Sequence, residues 1–402
     1  MSILMSKPML ICSAGNDNAS IMSALKSGQV HLQKNSDYGD KEFMLGVIKN
    51  LNPLPPNTAR HFKTRTNTIL YNALLNGENL IKEVIKSTDS VAVVIGTTTT
   101  GIEENYNNIP KKQYLQSFSS LDNPALFVRS LYDICGLSFG ISSACTSGAK
   151  AIIEGARLIN SGLCEAVICG GVDSLNTLTI NGFDSLEILS AKPTKAFCAD
   201  REGINIGEGA GVFVLISSEC LARNPHLADD FTIELKGYAN NNDAFHITQP
   251  RTDFAMQERL LAEVLLCANL TPSDIDYINL HGTGTQANDA MESATFAYAL
   301  NGELKSTPSS SIKPLIGHTL GAAGAIEAGI CAEMILQSIQ SPTSKDLTQE
   351  DVLIPHIYHN DFDKSLPQIA LIKQGQKAKV CNALSVSFAF GGDNSAIILG
   401  QA

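Results

Sequence analysis

The feature that most constrains the fold of this chain is an alternation of apolar strands and small-residue helices, which occurs in each half of the sequence. In the first half, residues 90–96 predict a strand that runs into a turn of threonines, and residues 149–159 predict a helix of small and aliphatic side chains. In the second half, residues 275–280 predict a strand and residues 319–327 open another helix rich in small side chains. Strands that alternate with helices indicate an α/β fold in which helices cover both faces of the sheets.

The two patterns indicate an ancient duplication, although the repeat is weak at the level of single residues. The boundary is predicted at residues 232–238, after an apolar strand at residues 212–216. We therefore expect an N-terminal half at residues 1–235 and a C-terminal half at residues 236–402, with no flexible linker between them. A chain of 402 residues has ample apolar side chains to build such a two-part core.

Composition excludes several classes of protein. The net charge of −11 argues against general nucleic-acid binding. No apolar run approaches the length of a membrane span, and the first fifteen residues, interrupted by Lys7 and Pro8, form a poor signal peptide. The ten cysteines form no CxxC pair and are scattered through apolar segments, which suits a reducing compartment. We therefore expect a cytoplasmic protein that binds neither nucleic acid nor membranes.

Cys145 is the first candidate for a reactive residue. It follows a short predicted strand and precedes the small-residue helix. A cysteine at a turn that opens a helix has its thiolate at the positive end of the helix dipole, which lowers the thiol pKa and prepares the sulfur for attack. The alternative is a buried structural thiol, which is the commoner role of an isolated cysteine.

Two histidines and a lysine in the second half favour the reactive interpretation. His281 begins the turn His-Gly-Thr-Gly-Thr after a predicted strand, and His318 follows Gly317 just before the second helix. Either histidine alone could be an ordinary structural residue. Together with Cys145 and Lys313 they supply a nucleophile, two imidazoles and a cation that fixes their charge states, which are the parts of thioester chemistry.

These motifs resemble the β-ketoacyl-acyl-carrier-protein synthases of the elongating, condensing type, which belong to the thiolase superfamily. The resemblance runs from about Met9 to the last strand. It rests on five segments in the family's order, namely residues 144–148, 200–211, 281–285, 313–318 and 387–394. Initiating and chalcone-type synthases carry Asn where His318 stands, degradative thiolases have a second cysteine in the last glycine-rich loop, and chain-length factors lack the nucleophile.

The resemblance implies the thiolase fold, in which two duplicated βαβαβ halves form a five-layered αβαβα architecture. It also implies an acyltransferase, a 3-oxoacyl-acyl-carrier-protein synthase. In such enzymes an acyl chain is carried on Cys145 and undergoes decarboxylative Claisen condensation with malonyl-acyl-carrier protein. His281 and His318 would donate to the enolate oxygen, and Lys313 would hold both imidazoles neutral. No metal and no cofactor are expected, because the substrates are carried on the phosphopantetheine of acyl carrier protein.

Further roles carry over from the family with open alternatives. Glu327 would support Lys313, or be a buried partner without a chemical role. Thr283 and Thr285 would bind the pantetheine arm, or simply end a strand. Thr99 would border the acyl tunnel, or belong to a polar turn without substrate contact.

The segment around residue 390 resembles the family's gating loop. Backbone N–H groups of Cys145 and Phe390 would form the oxyanion hole. The glycines that follow, Gly391 and Gly392, let that backbone approach the site.

A basic patch is predicted for docking of the acidic acyl carrier protein. Its members are Arg60, Lys63, Arg65, Lys111, Lys112 and Lys195. The alternative for each is an ordinary solvated side chain, and exposed pairs contribute only about 0–1 kcal/mol each. Several would have to act together, mainly on the rate of encounter.

Two departures from the family pattern bear on the pathway. Cys198 stands where Asp is usual, and Asp393 stands where Thr is usual, next to the gating loop. A role in aryl-polyene or polyketide-like synthesis is therefore at least as well supported as one in housekeeping fatty-acid biosynthesis. The chain is expected to form a homodimer, or a heterodimer with a Cys-less homologue that resembles a chain-length factor. The alternative functions are a catalytic or specificity subunit of a synthase heterodimer and an acyltransferase that never decarboxylates.

Overall fold

The structure, a computed structural model, describes residues 2–340 and 351–402. Its strands are β1 (Ile3–Met5), β2 (Met9–Cys12), β3 (Gln33–Asn35), β4 (Phe43–Gly46), β5 (Val91–Gly96), β6 (Ser138–Ile141), β7 (Ala166–Asp173), β8 (Ile206–Gly207), β9 (Gly209–Ser217), β10 (Ile233–Asn242), β11 (Tyr277–Asn279), β12 (Ser309–Ser310), β13 (Asn382–Phe388) and β14 (Asp393–Gln401). Its α-helices are α1 (Asn18–Ser27), α2 (Arg65–Leu75), α3 (Glu78–Ser87), α4 (Ile102–Asn108), α5 (Asn123–Leu131), α6 (Ser147–Asn160), α7 (Thr177–Ser185), α8 (Ser218–Arg223), α9 (Ala255–Ala268), α10 (Gln286–Tyr298), α11 (Lys313–Ile316) and α12 (Ala323–Gln340). Short 3₁₀ helices lie at Arg60–Phe62, Ile109–Lys111, Gln116–Phe118, Pro225–Asp230, Pro272–Asp274, Ala299–Gly302, Leu320–Ala322 and His359–Asp361.

The strand order shows the predicted duplication directly. The N-terminal half pairs its strands in the order β6-β5-β7-β9-β2, and the C-terminal half in the order β12-β11-β13-β14-β10. In each half the first three strands are parallel, and the fourth runs antiparallel to both of its neighbours in that order. Strand β1 pairs with both β9 and β10, so the two halves share one continuous sheet.

The buried helices α6 and α12 form the central layer of the molecule. They contact each other, and each also contacts strands of both halves. Their first turns approach closely because the side chains are small: a Cβ added at Gly148 would lie 2.9 Å from the Cβ of Ala325, and one added at Gly324 would lie 2.8 Å from that of Ala149. Helices α2 and α5 pack on the strands of the first half and α9 on those of the second, which gives the expected five-layered αβαβα architecture of the thiolase fold.

The expectation that no apolar segment approaches the length of a membrane span is wrong. Residues 320–340, which include α12, have the length and the mean hydropathy (1.3) of a membrane span. However, 78 % of that window is buried inside the fold, between the two halves. A helix that is apolar on all sides is expected at such a position, because every face packs against protein.

The predicted elements are in place, with shifted ends. Helix α6 begins two residues earlier than predicted, the strand before His281 is three residues shorter, and β9 extends the predicted strand at both ends. The predicted division between residues 235 and 236 falls inside β10, at an irregularity in its pairing with β14. The domain limits stay a prediction.

Candidate active site

Cys145 lies in a tight turn between β6 and α6. The preceding residue, Ala144, adopts the left-handed backbone conformation with φ of +50°. The Ser147 hydroxyl donates to the Ala144 carbonyl oxygen at 2.6 Å and accepts from the Ser143 N–H at 2.9 Å. These bonds close the turn and hold Cys145 two residues before the first residue of α6, between a strand and a helix as the sequence predicts.

The sequence predicts a lowered pKa for the Cys145 thiol, and this prediction is wrong. Cys145 is partly exposed as a residue, yet protein atoms enclose its sulfur, and this burial raises the thiol pKa to about 12. The positive charge of Lys313 and the backbone N–H of Phe390 oppose the rise without cancelling it. Desolvation of the charged form therefore outweighs the favourable position at the helix start. The resting group is a neutral thiol.

His318 faces this thiol directly. Its Nε2 lies 2.9 Å from the Sγ of Cys145, within hydrogen-bond distance. Burial, with a smaller contribution from Lys313, holds the pKa of His318 well below its usual value, so the ring is neutral at pH 7. Among the residues that the structure describes, no group bonds to the buried Nδ1 of His318. The thiol at Nε2 can either donate or accept, so the described neighbours leave both neutral tautomers of this ring available.

His281 is held differently. Its Nδ1 lies 3.3 Å from the Nζ of Lys313, which in turn forms a buried ion pair with Glu327. An ammonium group can only donate, so Nδ1 is the acceptor and Nε2 carries the ring proton. Burial and the charge of Lys313 lower the pKa of His281 well below its usual value. The rings of His281 and His318 meet edge-on, with centroids 5.4 Å apart.

Two buried carboxyl groups of α10 fix the backbone of the His281 turn. Glu292 accepts from the N–H groups of His281 and Gly282 at 2.6 and 2.7 Å, and Asp289 accepts from the N–H of Gly284 at 3.1 Å. Burial raises the pKa of Glu292 to about 8 and that of Asp289 to about 6. The sequence interpretation missed both residues. Their spacing of three, which places them on one face of α10, was the available signal.

A third missed carboxyl group, Asp173, organises the threonine turn after β5. It lies at the end of β7 and accepts from the N–H groups of Thr98 and Thr99 at 2.7 and 2.9 Å, and from the hydroxyl groups of Thr97, Thr98 and Thr99 at 2.6–2.9 Å. It also accepts from the N–H of Gly321, next to α12. Thr99 is therefore buried and bonded to Asp173, it is not among the described residues that line the cavity at Cys145, and its tunnel role stays a prediction.

The loop that carries Phe390 lies against the thiol. Its backbone N–H is near enough to the sulfur of Cys145 to lower the thiol pKa, and its ring packs against Phe183 at 5.8 Å between centroids. Gly391 and Gly392 both adopt left-handed conformations, with φ of +83° and +73°. The N–H of Gly391 donates to the carbonyl oxygen of Ile247 at 2.7 Å, which ties the loop to the segment after β10.

The reactive side chains open into one cavity of about 390 Å³. Thr283 and Thr285 line it beside Cys145, His281 and His318, and their hydroxyl oxygens lie 3.0 Å apart. Their role in binding the pantetheine arm stays a prediction.

The same three side chains form the only cluster in the described residues that is suited to a metal ion. The candidate ligand atoms of Cys145, His281 and His318 all lie within 4.8 Å of one another. Zinc accepts thiolate and imidazole ligands. Binding would require loss of the thiol proton, which the raised pKa of Cys145 opposes. We retain the expectation that the chemistry needs no metal.

The predicted docking cations do not behave as one set. The prediction that Arg65 docks the carrier protein is wrong. Its guanidinium binds the fully buried carboxylate of Glu208 through Nε, at 2.7 Å, and through Nη2. It therefore serves the interior, where an unpaired Glu208 would be costly. Lys195 forms an ion pair with Asp200 at 2.7 Å. The remaining four cations are exposed, and they are Arg60, Lys63, Lys111 and Lys112.

The two departures from the family pattern have different surroundings. Cys198 is buried, and its thiol lies 3.7 Å from the carbonyl oxygens of Ala196 and Tyr358. Asp393 is paired: its carboxylate lies 2.5 Å from the Nζ of Lys150 in α6. The charge predicted near the loop is therefore neutralised by the nucleophile helix.

Comparison with known proteins gives the same family for both halves. Residues 59–219 match the β-ketoacyl synthase N-terminal domain, and residues 232–345 match the β-ketoacyl synthase C-terminal domain. The chain is 32 % identical to the ketoacyl synthase alpha subunit of the tetracenomycin polyketide synthase of Streptomyces glaucescens, over 78 % of this chain and 75 % of that one. It is 34 % identical to 3-oxoacyl-[acyl-carrier-protein] synthase 2 of Rhizobium meliloti, over 66 % of this chain and 61 % of the relative.

A solved structure is similar along the whole chain. This is a ketosynthase from Xenorhabdus doucetiae in complex with its chain length factor, with a TM-score of 0.89 and 33 % identity over 100 % of this chain and 98 % of that one. The matches extend over both halves and therefore include the turns that carry the thiol and the two imidazoles. The chain belongs to the β-ketoacyl synthase family of condensing enzymes.

Proposed function

We propose that this protein is an acyltransferase that condenses an acyl chain held on Cys145 with malonyl-acyl-carrier protein, releasing carbon dioxide and forming a 3-oxoacyl-acyl-carrier protein. The observation that carries the proposal is the convergence of one thiol and two neutral imidazoles on a single cavity, with one imidazole 2.9 Å from the sulfur. No metal and no further cofactor take part in the proposed steps.

In the first step the Cys145 sulfur attacks the carbonyl carbon of the carrier-bound thioester. Because the thiol is neutral, its proton moves to the Nε2 of His318 during the attack and then to the departing pantetheine sulfur. The backbone N–H groups of Cys145 and Phe390 stabilise the oxyanion of the tetrahedral intermediate. An acyl–sulfur bond forms on Cys145, and the one to the carrier breaks.

In the second step malonyl-acyl-carrier protein loses carbon dioxide, and the electron pair of the broken carbon–carbon bond forms an enolate. Its oxygen accepts from the Nε2 protons of His281 and His318. Each donor of this kind contributes on the order of 3–4 kcal/mol when it is held in position. The enolate carbon attacks the acyl group on Cys145, and the released thiolate takes up a proton from water.

The neutral state of both imidazoles matters for the second step. An imidazolium could give up its proton to the enolate and quench it before the carbon–carbon bond forms. Burial and the ammonium of Lys313 keep both rings neutral, and the ion pair with Glu327 keeps that ammonium in place. Lys313 therefore acts as a positioning residue for His281.

We further propose that the partner in catalysis is acyl carrier protein and that the protein works in the cytoplasm as a dimer. A heterodimer with a Cys-less homologue is the better-supported form, because one relative is named an alpha subunit and the similar solved ketosynthase is bound to a chain length factor. In that assembly this chain is the catalytic member, since a purely structural partner has no use for Cys145 and both histidines. A role in polyene or polyketide-like elongation follows from the same comparison.

The decisive experiment is incubation with an acyl-carrier protein and malonyl-carrier protein, followed by intact-mass detection of the carrier-bound products. A carrier mass that corresponds to the 3-oxoacyl chain, two carbons longer than the donor, is expected. Acylation of Cys145 without elongation would instead identify an acyltransferase that never decarboxylates. The assay should be run alone and with a co-expressed Cys-less homologue, so that a requirement for the second subunit is visible.

A further inference from the structure

The carboxylate of Asp393 connects the loop after β13 to the nucleophile turn. Its Oδ2 lies 2.5 Å from the Nζ of Lys150 and 2.7 Å from the hydroxyl oxygen of Thr146. The side chains of Asp393 and Lys150 are only 14 % and 19 % exposed, so water screens the pair less than it screens a surface pair. The loop on one side of this contact and the helix on the other are thus joined by a shielded ion pair.

Both partners of Asp393 belong to the start of α6. Thr146 follows Cys145 directly, and Lys150 lies one helical turn later, with its N–H bonded to the Thr146 carbonyl oxygen at 2.9 Å. The hydroxyl of Thr146 has one proton to donate, and an ionised carboxylate is a stronger acceptor than the carbonyl of Ser143, which is also within reach. The position of Asp393 is therefore fixed relative to the cysteine.

Asp393 also closes the loop that presents the Phe390 N–H. Its carbonyl oxygen accepts from the N–H of Ala389 at 2.7 Å, and the carbonyl oxygen of Ala389 accepts from the N–H of Gly392 at 3.1 Å. These bonds make residues 389–393 a closed turn of five residues. In such a turn the position of the Asp393 side chain restricts the position of the second residue, Phe390. The N–H that lowers the pKa of the Cys145 thiol is the N–H of that second residue, Phe390.

We propose that Asp393 is a positioning residue that, through Lys150 and Thr146, holds the Phe390 N–H on the reacting atoms at Cys145. The inference rests on the proposed acylation of Cys145 and adds a residue to it. It also gives a role to the position at which this chain departs from its family, since a neutral threonine could not form the ion pair. Loss of the pair should slow acylation by releasing one oxyanion donor, while the binding of the acyl donor is preserved.

The test uses the double variant Lys150→Met, Asp393→Asn, which removes the pair without changing the net charge beside the thiol. Acylation of Cys145 by hexanoyl-pantetheine is followed by intact mass as a function of thioester concentration. We expect the maximal acylation rate to fall about tenfold with the half-saturating concentration within twofold of wild type. Asp393→Glu, which keeps the charge, should retain the rate within about threefold.

The matched control is the exposed ion pair of Glu154 and Arg157, farther along the same helix. Glu154→Gln with Arg157→Met should acylate at the wild-type rate. A purely structural role would lower the thermal midpoint of the double variant and leave its acylation rate unchanged below that temperature, which would overturn the inference. If wild type elongates acyl chains and the double variant acylates normally, only this inference fails. If wild type acylates but never elongates, the proposed function fails instead.

Discussion

The turn at His281 and the turn at His318 bring two chemically identical rings to one cavity, but they hold them by different means. The His281 ring is bonded at Nδ1 to Lys313, and two carboxyl groups of α10 hold its backbone turn. The His318 ring has a thiol at Nε2 and, among the described residues, no partner at Nδ1. Its backbone is nevertheless fixed, because its N–H donates to the carbonyl oxygen of Asn205 at 2.7 Å.

The difference teaches how one pair of histidines can serve two half-reactions. A ring with a fixed tautomer is a permanent donor, which suits an enolate oxygen that must be stabilised but not protonated. A ring whose tautomer is free can accept the proton of Cys145 in one step and donate at the same nitrogen in the next. We therefore expect His281 to matter for decarboxylation alone, and His318 for both steps.

The largest expected effect comes from removing the thiol that lies beside the His318 ring. Cys145→Ala should reduce acyl transfer by at least about 1000-fold, because Cys145 is the one cysteine among the described residues that line the cavity. Decarboxylation of malonyl-carrier protein should persist, since it uses the two imidazoles. Intact mass reports the first reaction and carbon dioxide release the second. An acyl adduct on the Ala variant would place the nucleophile elsewhere.

The comparison itself is tested by His281→Ala and His318→Ala. Both should lower carbon dioxide release by about 100- to 1000-fold, the usual cost of one lost donor to a developing oxyanion. Acylation of Cys145 should stay near the wild-type rate in His281→Ala and fall clearly in His318→Ala. Equal acylation by the two variants would mean that the free tautomer of His318 has no role in proton transfer.

The pH dependence should show that both rings are neutral. Because the pKa of each is well below 6.5, carbon dioxide release from malonyl-pantetheine by Cys145→Ala should stay flat from about pH 7.5 down to about pH 5.5. Stability should also depend on these rings: below pH 6.5 the unfolded chain binds protons that the folded histidines do not, so the histidines lower the thermal midpoint as the pH falls. The raised pKa values of Glu292 and Asp289 act in the opposite direction, because these carboxyl groups bind protons first in the folded chain. A rate that drops by half near pH 6.5 would contradict the neutral assignment.

The smallest effect is expected outside the cavity, where neither histidine is disturbed. Lys111→Glu with Lys112→Glu should raise KM for carrier-bound substrate several-fold, flatten its salt dependence and leave kcat for a pantetheine thioester unchanged. Reversal of Lys82 and Lys86 on α3 is the matched control for net charge. Losses of equal size with both kinds of substrate would show that the lysine pair acts on the fold and not on docking. Lys195→Glu belongs in a separate variant, because it would also repel Asp200.

The convergence of the three candidate site residues on one cavity could be expected from the sequence, because each lies at the end of a helix or strand and has small neighbours. Cys145, His281 and His318 follow this rule, and so the fold class and the site follow from local patterns. The carboxyl groups that hold the turns could not be found in this way. Asp173 acts on threonines about 75 residues earlier in the chain, and no local pattern links a strand end to that turn.

Charge and burial were the other properties that local patterns could not supply. The sequence around Arg65 indicates a surface cation. In the structure this side chain binds Glu208, which lies 143 residues later in the chain. The pKa of Cys145 depends on how completely protein atoms enclose the sulfur, which the helix start alone does not determine. In both cases the deciding contact comes from a segment that is distant in sequence.

The position of β1 has a consequence for the order in which the protein can form during synthesis. Leu4 is paired on one side with Ile216 and on the other with Glu234, so β1 lacks both of its partners until β9 and β10, more than 200 residues later, have been translated. The strand on the far side of β10 is β14, the last one in the chain. Pairing across such separations is slow, because loop closure must precede the contacts that reward it. The nascent chain must therefore keep an apolar strand unpaired until those later strands are made, and an unpaired strand edge is prone to non-native pairing in the meantime.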